Sequence, residues 1–241
     1  MFRIRRITFP EYEKSIFTKQ NYMLGPFLRG QTITILTTVR RTMLKEIEGL
    51  ASIGIIIPKV RCEYETAPGV QEDVLTILLE LKQVIFKGKI NSDKPFNVID
   101  LNVGKILKEE APSLVIAGYL EVPLNLKILN PEALIATTIG FNNLKTRDYF
   151  FSQLTSNKYI WKILVGRGKG YVKSEDLINQ IPLNFLPLNN SFSPVENFGY
   201  KYESNIAGTM ENAFVTVQTN GSISPEATFS VAAIYLMNTF Y

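Results

Sequence analysis

At 241 residues the chain can form one large domain or two small ones, each with its own core, and 46% hydrophobic with 20% charged residues are the proportions of a globular protein, not a disordered one. A formal charge of +4 permits contact with nucleic acid or an acidic partner without demanding it. The absence of histidine and the single cysteine, Cys62, exclude Ser-His-Asp and Cys-His catalysis, histidine-bearing or multi-cysteine zinc sites and an internal disulfide, and no stretch approaches the ~20 apolar residues of a membrane span.

The chain opens on a strand-like segment (Phe2, Ile4, Ile7) carrying its densest cationic cluster, Arg3 to Arg6. This start has no apolar run behind its cations and carries Glu11 and Glu13, so it is not read as a signal or transit peptide. A second strand is expected around Tyr22 to Leu24, then breaks at Gly25-Pro26 and Gly30. A helix follows. Ile33, Leu36, Val39, Met43 and Ile47, with Leu44 beside them, recur at three- and four-residue steps and define one apolar stripe, which Gly49 closes as a C′ residue. Arg40 and Arg41 sit side by side in mid-helix. Both cannot enter a core, so at least one is offered to solvent or to a partner.

Ala51 to Ile57 reads as a buried strand ending at Pro58, Val60 to Glu65 alternates as another, and Cys62 within it is expected to be a buried structural thiol. Pro68-Gly69 is a turn. Glu72 and Asp73 suit the first turn of a short helix whose buried stripe is Val74, Ile77, Leu78, Leu81 and Ile85, with Lys82 on its outer side. From Gly88 to Ala111 no element is assigned. Strand character returns at Leu114 to Leu120, Asn130-Pro131 is a turn between strands, residues 141–157 read as a loop or insertion, and Tyr159 to Val165 is a strong strand holding the sole tryptophan, Trp161.

GRGKGYV at Gly166 to Val172 alternates glycines with cations, a composition able to cradle phosphate through backbone N–H groups. It lacks the GK[ST] ending of a P-loop and the spacing of a dinucleotide fingerprint. A glycine-rich turn after a strand is the preferred reading, with an anion site using Tyr171 or a carboxylate as the alternative. Downstream come FSPV at Phe192 to Val195 with an aromatic-rich strand, an alternating strand at Ala213 to Thr219, the Asn220-Gly221 turn, and a helix opened by Ser224-Pro225-Glu226. The stripe of that last helix is Phe229, Ala232, Ala233, Leu236 and Phe240.

LGPFLRGQ, the Arg40-Arg41 pair, EIEG, the GV-QED block, the NP…IA block, GRGKGYV, FSPV and TNGSISPEA occur in one order that resembles the α subunit family of multisubunit DNA-directed RNA polymerase, over roughly residues 20 to 236, in wording nearest the chloroplast versions. The threonine-rich Gln31 to Thr38 departs from the family's glycine-rich entry to the first helix. The resemblance implies an α+β fold: a discontinuous dimerisation domain of strands and two long helices (residues 1–51 and 180–241) with an inserted β-rich domain (residues 52–179). It implies a homodimer that assembles the β and β′ subunits. Leu36, Val39, Met43, Ile47, Phe229, Ala232 and Leu236 would form the dimer contact, Arg40, Arg41 and Leu44 would engage β, and Lys82 and Leu188 would approach β′.

By the same resemblance the phosphodiester chemistry and its magnesium belong to the large subunits, so neither catalytic residues nor a cofactor are expected in this chain. DNA would be met only through the complex, and the membrane not at all. Relatives with a C-terminal DNA-binding domain continue beyond the last helix, and its functions are expected to be absent here. The wording and the N-terminus point to a plastid, with a bacterial cytoplasm as the alternative. Two other function classes remain open at this point: a free-standing anion- or nucleotide-binding enzyme using GRGKGYV, and a nucleic-acid binder using Arg3 to Arg6 and Lys169.

Overall fold

A computed structural model describes residues 3–7, 11–13, 17–90, 96–108, 111–139, 159–205 and 208–240. It is mixed α+β with strands predominating, and it separates into two compact units: Met1–Gly49 with Lys169–Tyr171 and Phe192–Tyr241, and Leu50–Gly168 with Val172–Ser191. The boundaries differ from the expected ones. Residues 180–191 belong to the inserted unit, because their backbone and side chains complete its sheet and core.

The first unit is a sheet with strand order β1-β3-β16-β15, in which β2 also pairs with β3. Its strands are β1 (Arg3–Arg6), β2 (Glu11–Glu13), β3 (Phe17–Leu28), β15 (Val195–Ser204) and β16 (Met210–Thr219), all antiparallel. β3 runs on through Gly25-Pro26, where a break was expected, and the register with β16 shifts between Glu211 and Ala213. Alternation decides which face is covered: Tyr22 and Leu24 of β3 and Ala213, Val215 and Val217 of β16 turn to one side and form the core with helices α1 (Gln31–Lys45) and α5 (Pro225–Phe240). The ring of Phe229 on α5 stands edge-on to Tyr22, 4.8 Å between centroids.

Helix α1 ends at Lys45, two residues before Ile47, and Gly49 is not its C′ residue. Gly49 lies inside β4 (Glu48–Ile56), where a Cβ would collide with the Phe192 carbonyl. The buried line of α1 is Thr32, Leu36 and Met43, with Val39 half-buried, while Ile33 is 48% exposed. The stripe was read one position off at its start. The helix runs through its threonines, and Thr37, Thr38 and Thr42 donate their hydroxyls to carbonyls four residues earlier, at 2.8, 2.8 and 3.0 Å.

The second unit is built on a sheet of order β13-β4-β11-β6-β8, using β6 (Phe96–Asn102), β8 (Leu120–Glu121), β11 (Ile160–Lys169) and β13 (Leu186–Pro187) besides β4. Two-stranded ribbons β5 (Phe86–Gly88) with β9 (Leu126–Ile128), β7 (Leu114–Ile116) with β10 (Leu134–Thr137), and β12 (Tyr171–Val172) with β14 (Asn190–Ser191) complete its strands. Helix α2 (Val74–Leu81) starts where Asp73 accepts from the Thr76 N–H at 3.0 Å, and buries Val74, Ile77, Leu78 and Leu81. Single-turn helices α3 (Val103–Ile106) and α4 (Ser174–Leu177) are the remaining α-helices among the described residues.

Four expectations change here. Val60 to Glu65 forms turns instead of a strand, because no neighbouring strand accepts it, and Cys62 is exposed there. A 3-10 turn at Ala117–Tyr119 interrupts Leu114 to Leu120. β6 and α3 lie where no element was assigned. The expected loop at 141–157 lies outside the described residues.

Candidate assembly surface

The outer side of α1 carries the two arginines. Arg40 and Arg41 are both exposed, Leu44 is half-buried beside them, and among the described residues neither guanidinium has an ion-pair partner. On a helix Ile33, Thr37, Arg40 and Leu44 fall on one line, and Arg41 turns about a quarter circle from it. The arginines therefore face outward together, flanked by apolar side chains, able to donate bidentately to a carboxylate.

The expected dimer residues divide by burial. Leu36 and Met43 are 0% exposed, Ala232 1% and Ile47 2%, all within this unit's own core. Their side chains are spent on packing within the protomer, Leu36 and Met43 from α1, Ala232 from α5 and Ile47 just beyond α1, and leave next to no accessible area for a second copy to cover. Val39, Phe229 and Leu236 are half-buried. What α5 offers outward is Val231, Ile234 and Met237, at 39%, 56% and 59% exposure, with Ile33 and Ile35 on α1. Helix α5 is thus apolar on the side that meets the sheet and largely apolar on the side that does not, the pattern of a helix buried from both sides. Of the expected stripe Ala232 is buried, Phe229 and Leu236 are half-buried and Ala233 is exposed, so periodicity marks the inner side only in part, because apolar residues on both sides leave little contrast.

Four polar side chains gather at the two ends of α1. Gly30 precedes α1 with no side chain to cap it and the first turn carries no acid; the carboxylate of Glu211, 6% exposed on β16, accepts from the Gly30 N–H at 3.3 Å. At the other end the Lys169 ammonium stands 3.8 Å from the Glu46 carboxylate and 5.3 Å from the centre of the Tyr235 ring. The Tyr235 hydroxyl bonds to the same carboxylate, which pushes its pKa up. Neither Glu211 nor this trio had a signal in the sequence, since each partner is distant along the chain.

GRGKG does not form the expected turn until its last glycine. Gly166 to Lys169 continue β11, and only Gly170 takes positive φ. An extended strand points successive N–H groups to opposite sides, so they do not converge on an anion. Lys169 is committed to Glu46 and Tyr235, and the Gly170 carbonyl accepts from the Phe192 N–H at 2.8 Å.

In the second unit Lys82 is the half-buried cap of α2. Leu188, in contrast, is 2% exposed in the core, its N–H bonded to the Ile53 carbonyl at 2.9 Å, so its side chain presents almost no surface. A groove of about 670 Å³ runs nearby between Pro58, Val60, Ile181, Leu183 and Phe185. No helix among the described residues is long and apolar enough to cross a membrane.

Residues 25–240 match the family described as the RNA polymerase Rpb3/Rpb11 dimerisation domain. The chain is 32% identical over 222 residues to a DNA-directed RNA polymerase subunit alpha from Emiliania huxleyi, covering 91% of this chain and 64% of that protein. Proteins of the same name from Cyanidium caldarium and Porphyra purpurea are each 31% identical, again over 91% of this chain and 64% of theirs. The chain therefore spans 64% of the length of these curated relatives.

Proposed function

The chain belongs to the family of RNA polymerase Rpb3/Rpb11 dimerisation domains, and on that premise we propose that it is the assembly subunit of a multisubunit DNA-directed RNA polymerase, pairing with a second copy and recruiting the large subunits. The observation that carries the reading is the outward apolar face of α5 with Ile33 and Ile35 of α1. A second copy related by a two-fold axis would lay the same face on it, each protomer covering the other's Ile234 and Met237. Arg40, Arg41 and Leu44 form a separate outward strip that suits the β subunit, and half-buried Lys82 suits β′. Nucleotidyl transfer and its magnesium lie with the large subunits in this reading. The relatives' algal sources support a plastid setting.

The test is light scattering coupled to size exclusion on the chain alone and co-expressed with β. The reading expects a dimer that shifts into a complex of two copies with one β. Arg41→Ala should abolish that shift while leaving the dimer intact, and Arg41→Lys should weaken it, since an ammonium lacks the planar fork. A monomer indifferent to β would overturn the proposal.

A further inference from the structure

In the second unit the β5–β9 ribbon sets Lys87 directly opposite Lys127. Like charges facing each other across antiparallel strands, with Cβ atoms about 5 Å apart, oppose the pairing. The main sheet of the same unit shows the ordinary arrangement, Lys162 opposite Asp100. Lys89 extends the outward face of β5 two residues beyond Lys87, about 7 Å away at strand rise, and pairs with Asn125 through its N–H at 3.2 Å. All three lysines are exposed, and among the described residues none has a carboxylate partner.

The ribbon beneath them is held firmly. Phe86 and Leu126 enter the core at 1% and 7% exposure. Gly88 takes φ +150° where a Cβ would strike the Asn125 carbonyl, and the Asn125 amide donates to the Lys89 carbonyl at 2.8 Å. The charges are thus displayed on a fixed backbone by flexible stems. The strip offers no exposed aromatic ring on which a base could stack, and no arginine fork shaped for a carboxylate. Compact ammonium groups at close spacing on a flat ribbon match the regular phosphates of a nucleic-acid backbone, one charge per about 1.7 Å of duplex axis.

We propose that Lys87, Lys89 and Lys127 form a sequence-independent contact for the phosphate backbone of duplex DNA. This inference stands on the β5–β9 ribbon and does not rest on the assembly reading. Three phosphate contacts predict that log K falls against log salt with a slope of about −2.7, and that each lysine removed flattens it by about 1.

The experiment is fluorescence anisotropy of a labelled 20-base-pair duplex (a length of roughly two helical turns) titrated with the full chain over a salt series. Lys87→Gln/Lys89→Gln/Lys127→Gln should lose most binding and nearly all the slope. Lys127→Glu, which places opposite charges across the ribbon, should raise Tm while weakening DNA binding, so a lost contact is told apart from a lost fold. Arg40→Gln/Arg41→Gln should leave the slope unchanged. No binding at low salt, an equal effect of the arginine control, or displacement by polyglutamate as effective as by unlabelled DNA would each overturn the proposal.

Discussion

If α5 is covered by a second copy, truncating Ile234 and Met237 to alanine separates dimerisation from folding. The two side chains are 56% and 59% exposed in the protomer. Fully burying a side chain of this size is worth about 1.5–3 kcal/mol, so covering the remaining half and then truncating to alanine removes about 1 kcal/mol for each. A two-fold contact contains four such side chains, which gives about 4 kcal/mol, or roughly a thousandfold in the dimer dissociation constant. Alanine is the better helix former and the positions face outward, so urea unfolding of the protomer should stay within about 0.5 kcal/mol of the parent. Sedimentation velocity over a concentration series reads the first quantity, and denaturant midpoints extrapolated to low protein concentration read the second. A dimer unaffected by the double change, with the protomer still folded, would refute the assignment of this face.

Leu36→Ala should do the opposite. Its side chain is 0% exposed between α1 and the sheet, so the protomer should lose about 2–5 kcal/mol, measured by urea unfolding, and a loss below about 1 would contradict the packing described. Tyr159 predicts an alkaline transition: burial pushes its phenol up to about 12 while its hydroxyl donates to the Pro68 carbonyl at 3.1 Å. Because the folded value lies above the ordinary value of about 10, the stability it contributes is complete below pH ~10 and disappears as pH rises through about 12. Tyr159→Phe should be less stable than the parent at neutral pH and should lose that share of the alkaline decline, read as a difference in urea midpoints. Parallel profiles for the two proteins would count against it.

Local signals were legible, and long-range ones were not. The Val74–Ile77–Leu78–Leu81 spacing, the Asn220-Gly221 turn and the Pro225 start of α5 each need only a few neighbouring residues, and each stands in the structure; Asp73, expected inside the first turn of α2, is instead its N-cap, and Ile85 lies beyond the helix end. The stripe of Leu36 and Met43 was also legible as buried, but an apolar stripe says that something covers it, not what. Here the cover is the protomer's own sheet. Val60 to Glu65 shows the converse, since alternation becomes a strand only when an edge is available to pair with it. Glu211 caps Gly30 across 181 positions, and Lys169 reaches Glu46 and Tyr235 only after β11 has crossed the chain. No window of sequence contains both halves of such a contact. β6 is a different omission: Val98 to Leu101 does alternate exposed and buried, but the signal is short and set among polar residues.

The pairing of β3 with β16 joins residues 17–28 to residues 210–219, and the Glu211 cap does the same for α1. A ribosome releases residues 17–28 long before residues 210–219. The strands and helices of the inserted unit emerge in between as a nearly continuous stretch with a core of their own, so that unit can form first, whereas the long pairing partner of β3 does not exist until residues 210–219 have been made. The surface carrying Arg40 and Arg41 is emitted early but rests on a framework completed late. The outward face of α1 is thereby set only once β16 has been added, an order of assembly fixed by connectivity alone.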